Sequence, residues 1–301
     1  MSEPGPKIGL ALSGGGARGI AHVGVLKVIE EAQIPIHLLT GTSMGGIVAA
    51  AYAAGLSPTR IERFFRSLRL FDIIQRDRTG MGLLSQDKMA NRLREILGGD
   101  LTFEQLKIPL ALVAVDLEAG EEVIIREGSV ITGLMATSAV PILFPPVRRD
   151  GRLLIDGGAL NNLPFDVARQ MGADRVIAVH TRPELSDEMG TSTPSGGHGP
   201  EAVIRMFLHR SRWAPLIEVA ERSASITGRK LIEQRMQQSP PDLTIDIPLK
   251  GVGLLDLDQV DLTIASGQEA TRQHLARLLE LRDTPSPSHW ARWWRSLRSH
   301  T

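Results

Sequence analysis

The residues best suited to chemistry in this chain are a serine and an aspartate, far apart in sequence and each set beside glycines. Gly41-Thr42-Ser43-Met44-Gly45 has the spacing of a nucleophile elbow, a sharp strand-to-helix turn that lifts a serine hydroxyl above a sheet. Gly41 and Gly45 have a steric purpose there, because without Cβ atoms the chain turns tightly around a strained serine and leaves room for a substrate carbonyl. A Gly-rich helix start would give the same five letters, so the strand before and the helix after carry the weight. Asp156-Gly157-Gly158 follows an apolar run and puts a carboxylate at a strand end, where open α/β sheets keep their sites. An Asp-Gly turn is also common on any surface. Asp156 becomes the base for Ser43 if its strand lies beside that of the serine.

A third segment, Gly14-Gly15-Gly16-Ala17-Arg18-Gly19, falls between an apolar run and a helical pattern. Backbone N–H groups and the positive end of a helix dipole converge at such a junction, which suits an anion such as the oxygen of a tetrahedral intermediate. Arg18 would add charge for that oxygen or for a lipid phosphate. Gly14, Gly16 and Gly19 also satisfy the dinucleotide fingerprint. That reading requires an acidic residue at the end of the second strand, and the chain has Thr40-Gly41-Thr42-Ser43 there instead. Among the eight histidines, His180 closes a strand and is the best candidate for a Ser-His-Asp triad; a strand-end polar residue explains it as well. His22 stands one turn past Arg18 and is accounted for equally by helix packing.

These segments need a sheet to hold them. Ile8-Gly-Leu-Ala-Leu12 reads as a buried strand, with Ile20, Val23, Leu26 and Ile29 at helical spacing beyond the glycines. The layout repeats as a strand at 36–39, a turn at 41–46 and an Ala-rich helix at 47–54 ended by Gly55. Two βα units in succession indicate a parallel sheet. Residues 57–107 read as helical around a Gly80/Gly82 loop, a lid or pocket wall. Strands follow at 110–115 and 123–126, then a helix at 130–137, a Pro-marked loop, and strands at 152–155 and 175–180 with a helix at 165–171 between them. Residues 184–200 are rich in Ser, Thr, Gly and Pro and read as a flexible loop. Helices at 201–237 with a break at Pro215, a strand at 243–247 and a helix at 258–281 complete the pattern. The expectation is an α/β fold, three layers α/β/α with a mostly parallel sheet. A core at 8–183 and a helical part at 201–283 would form one domain, followed by a tail at 284–301.

Thirty-four basic and 34 acidic side chains cancel, which removes the whole-molecule field that would draw the protein onto nucleic acid. Cysteine is absent, which excludes disulfides and thiolate metal sites. The first apolar run is too short for a secretory segment, and the longest, at 47–54, falls well short of the roughly 18 residues a spanning helix needs. The cytoplasm is therefore the expected location.

The three glycine-bearing segments, in this order, resemble the patatin-like phospholipase family, with its G-G-G-x-R-G loop, G-x-S-x-G elbow and D-G-[AG] turn. Ala136-Thr-Ser-Ala-Val-Pro141, Phe144-Pro-Pro-Val147 and Asp156-Gly-Gly-Ala-Leu-Asn-Asn-Leu-Pro164 extend the likeness over about residues 8–180. The resemblance implies hydrolysis of lipid acyl esters by a Ser43–Asp156 dyad without histidine, metal or organic cofactor. It also implies an oxyanion hole lined by Gly15, Gly16 and Arg18 within the loop Gly14–Gly19. Acyl transfer to another acceptor, or a regulatory module that keeps the fold, are the alternatives. Oligomeric state, headgroup and acyl chain are not legible. In the tail, Trp290, Trp293, Trp294 and Leu297 share one helix face with arginines elsewhere, the pattern of a helix at the inner membrane face; packing on the protein's own domain would give it too.

Overall fold

In a computed structural model, which describes residues 5–69, 75, 77–183 and 214–285, β1 (Ile8–Leu12) is buried at all five positions, as a strand covered on both faces must be. It lies inside an eight-stranded sheet. β2 (Leu38–Thr42), β3 (Leu110–Asp116), β7 (Arg175–Pro183) and β8 (Leu243–Leu249) run parallel with it, while β4 (Glu121–Ile125), β5 (Val147–Arg149) and β6 (Arg152–Asp156) are antiparallel additions at the β3 side. The order is β5-β6-β3-β2-β1-β7-β8, with β4 also paired to β3.

Alternation along the strands divides the core into two layers. Ile8, Leu10, Leu12, Leu112, Ile177 and Val179 face a large cluster. It is covered by α1 (Ala21–Glu31), α2 (Ser43–Ala53), α3 (Pro58–Ser67), α4 (Asp87–Leu97), α5 (Val130–Thr137), and α8 (Val260–Gln273) with α9 (Leu275–Asp283). Ala11, Val176 and Ala178 point to the other face, covered by α6 (Phe165–Gln170) and by Ile232 of α7 (Ala214–Gln238). This is the expected three-layer α/β/α arrangement.

Three details differ from expectation. β2 runs to Thr42 and α2 begins at Ser43, so the six-residue turn expected at 41–46 is compressed into one residue. The threonines at 40 and 42 are β-formers, and Gly41 has no side chain to oppose extension. The strand expected at 152–155 is half of a hairpin, β5–β6, which turns on Asp150-Gly151, both at positive φ (50° and 76°), a two-residue turn suited to an antiparallel pair. The helix expected at 258–281 breaks at His274 into α8 and α9. From Ala214 onward α7 is continuous, with Pro215 in its first turn. The loop expected at 184–200 and the tail with Trp290, Trp293 and Trp294 lie outside the described residues.

One feature of the register brings the site together. β4 occupies one edge of β3 along Leu112–Asp116, so β2 and β6 share the opposite edge. β2 ends with Thr42 opposite Val113, and β6, running the other way, ends with Asp156 opposite Ala114. The two strands meet end to end rather than side by side, and Ser43 and Asp156 stand at the meeting point.

Candidate active site

Ser43 takes φ of 53°, a left-handed conformation that a residue with a Cβ avoids at a cost of about 1–3 kcal/mol. Neighbouring groups hold it there. Its N–H donates to Thr137 Oγ1 at 3.0 Å, and the Thr137 hydroxyl in turn donates to the Val113 carbonyl of β3. A Cβ on Gly45 would collide with the carbonyl oxygens of Leu12 and Ser13, so glycine lets the start of α2 cross the end of β1. Gly41 is pressed against Gly46 in the same way.

Asp156 is buried, with Oδ1 accepting the Gly158 N–H at 2.7 Å. Burial pushes its carboxyl up to about 6, against the opposing pull of the Gly158 N–H and of a hydrogen bond with the Ser43 side chain. A Cβ on Gly157 would strike the Val113 carbonyl, so the turn is seated directly on β3. The rest of that turn is stitched across β2: Thr42 Oγ1 donates to Asn161 O and Thr40 Oγ1 to Pro164 O, both at 2.8 Å.

The glycine loop divides its duties differently from expectation. The Gly14 N–H donates to Asn162 O at 3.1 Å and so is spent on structure, while its Cα packs against the Ser43 side chain. Gly19 packs on Met44 and serves contact between the 3-10 turn Gly16–Ile20 and α2. The N–H groups of Gly15 and Gly16 have no acceptor among the described residues. Both glycines line the cavity that contains Ser43. Arg18 is buried and lines it too, with Nη1 donating to Val252 O at 3.1 Å, which fastens the 252–254 segment to the loop.

His180 also lines the cavity, but its Nδ1 lies 3.3 Å from Asp246 Oδ1, and no hydrogen bond joins it to Ser43 among the described residues. His22 is fully buried and its Nε2 lies 2.8 Å from Ser13 O. A carbonyl only accepts, so Nε2 carries the hydrogen; burial lowers the ring's pKa to about 4 and keeps it neutral. It braces the approach to the glycine loop. Among the described residues no group of three or more His, Cys, Asp or Glu is placed to hold a metal ion.

The cavity encloses about 240 Å³. Val140, Pro141, Ile142 and Leu143 form an apolar side, and α7 crosses the other. Thr137, Asn161 and Asn162 join the site without a motif of their own. Their signal was the density of small polar residues next to Pro and Gly, which does not reveal a partner until the strands are placed.

A parallel sheet covered on both faces, with a strained serine opening a helix and a buried carboxylate at the end of a neighbouring strand, defines a patatin-like α/β protein. The chain belongs to the patatin-like phospholipase family, whose model matches residues 10–169. An uncharacterized NTE family protein of Mycobacterium tuberculosis is 37% identical over 180 residues, 58% of this chain and 49% of that protein. A second from the same organism is 30% identical over 285 residues, 90% of this chain and 47% of that protein. Patatin-like phospholipase domain-containing protein 6 of Mus musculus is 34% identical over 195 residues, 62% of this chain and 14% of that protein. The chain thus spans about half the length of the mycobacterial relatives. Among solved structures, VipD from Legionella pneumophila shares the fold at a TM-score of 0.60, with 15% identity over 91% of this chain and 67% of that one. No helix among the described residues is long and apolar enough to cross a membrane.

Proposed function

We propose that the protein is a serine hydrolase of lipid acyl esters, of the phospholipase or lysophospholipase type, with Ser43 as nucleophile and Asp156 as base. The observation that carries this reading is a buried carboxylate with its pKa raised to about 6, hydrogen-bonded to the hydroxyl of a serine in a strained elbow. An ordinary carboxylate near 4 is a weak base at neutral pH; a value near 6 brings it close to the working range while leaving it ionised. Asp156 takes the Ser43 proton as Oγ bonds to the ester carbonyl carbon, and the carbonyl oxygen becomes an oxyanion facing the Gly15 and Gly16 N–H groups. Collapse expels the alcohol, which leaves with the proton from Asp156. Water, deprotonated by the same carboxylate, then releases the fatty acid and restores Ser43.

Ser43→Ala and Asp156→Asn proteins should fold and lose hydrolysis of short acyl esters by about three orders of magnitude or more. The parent should be labelled at Ser43 by a fluorophosphonate. Retained turnover in either variant would refute the dyad, and His180→Ala should change turnover little. The Trp290, Trp293 and Trp294 tail is proposed to rest on lipid headgroups. Co-sedimentation with liposomes should fall when residues 285–301 are deleted; equal binding would remove that role.

A further inference from the structure

Within the cavity, α7 presents Ser225, Gly228, Arg229 and Ile232 at helical spacing opposite the apolar Val140–Leu143 side. Gly228 is buried above the Asp156 turn, close to the Gly158 carbonyl, which brings the neighbouring Arg229 into the same cavity as Ser43. The Nε of Arg229 is buried and has no acceptor among the described residues. Among the described acidic groups, Glu233 feels the charge of Arg229 and Arg182 without a hydrogen bond to either. Glu233 receives Lys230 at 2.8 Å, and Arg235, further along α7, takes Glu122 and Asp166. A second guanidinium, Arg182 near the end of β7, lines the same cavity, with a long 3.9 Å contact to Asp246 and the charge of Glu233 within reach.

A half-buried guanidinium in the same cavity as Ser43, with a buried donor awaiting an acceptor, suits a tetrahedral oxyanion offering several acceptor atoms. We infer that Arg229, assisted by Arg182, binds the phosphate of the lipid substrate's headgroup, while the Val140–Leu143 side takes the acyl chain. The inference rests on the hydrolase reading for its orientation and names the substrate class as phosphate-bearing esters in preference to neutral glycerides.

The test compares hexanoyl lysophosphatidate with uncharged hexanoylglycerol, which present the same acyl ester. In Arg229→Gln the ratio of kcat/KM for the phosphate ester over the neutral one should fall about 10- to 100-fold, with partial recovery in Arg229→Lys and a smaller fall in Arg182→Gln. An equal loss on both esters would overturn the subsite. A binding arm reads the subsite without turnover. Calorimetry on Ser43→Ala should show lysophosphatidate binding at least about tenfold tighter than hexanoylglycerol, and Arg229→Gln in that background should abolish the difference. Binding of inorganic phosphate as tight as that of lysophosphatidate would assign the arginines to a free anion and overturn the headgroup role, as would binding indifferent to Arg229. If the parent cleaves neither ester while the binding difference holds, the subsite stands and the hydrolase reading fails.

Discussion

At the scale of residues, the unusual feature is a buried carboxylate whose proton affinity is raised by burial, as the proposed base requires. Asp156 titrates near 6 because its charged form is poorly solvated. Only the ionised form accepts the serine proton, so kcat/KM should rise about tenfold per pH unit up to about 6 and level off above it, measured on a short uncharged ester. The same shift has a thermodynamic side. The folded-state pKa exceeds the unfolded value of 3.8, so the folded protein binds the proton more readily and loses stability as pH rises from about 4 to about 6. Asp156→Asn removes that penalty. It should stabilise the protein by up to about 3 kcal/mol at pH 7 or above, with the advantage vanishing near pH 4. Urea melts at the two pH values check the sign. Thr137 acts on the other partner. Thr137→Val leaves the Ser43 N–H and the Val113 carbonyl without their shared hydroxyl, which should cost about 1–3 kcal/mol and lower kcat more than it raises KM. Thr137→Ser should restore most of both.

At the scale of elements, the glycine loop depends on helices packed beneath it at very short range. α1 and α8 meet through reciprocal glycines: a Cβ on Gly24 would strike the Ile264 carbonyl, and one on Gly267 the Ala21 carbonyl. Backbone cannot retreat as a flexible side chain can. Gly267→Ala would gain about 1 kcal/mol of helix propensity and lose more by forcing the helices apart. The expected outcome is a net loss of about 2 kcal/mol in denaturant unfolding, with a weaker His22–Ser13 contact, since His22 adjoins Ala21 at the start of α1. The elbow itself is also a product of element packing. The strand, the serine and the helix could be read from sequence, because apolar runs and an Ala-rich segment flank a fixed glycine spacing. That the turn would shrink to Ser43 alone could not, since it depends on α2 crossing β1 above Gly45.

For the whole molecule, the site is closed by α7, which a polar cluster ties to the sheet. Arg235 of α7 pairs with Glu122 of β4 and Asp166 of α6, and Asn161 Nδ2 reaches the same two carboxylates at 3.0 and 2.9 Å. Arg235→Met would leave two carboxylates sharing one amide. Because these groups are partly exposed, the loss should be about 1–2 kcal/mol, with faster amide exchange in α7 and around residues 157–164 and a raised KM. Sequence by itself determined the fold class, the family and the candidate serine, since glycine spacing and apolar periodicity are local and survive without coordinates. The proposed base rested on resemblance, and no local pattern in the sequence sets which strand Asp156 meets. Tertiary structure decided the rest. β3 offers a single edge to both β2 and β6, so Thr42 and Asp156 stand at adjacent register positions, Val113 and Ala114, and bring together a serine and an aspartate 113 positions apart. Burial at that junction, which no local pattern encodes, is what raises the Asp156 carboxyl to about 6.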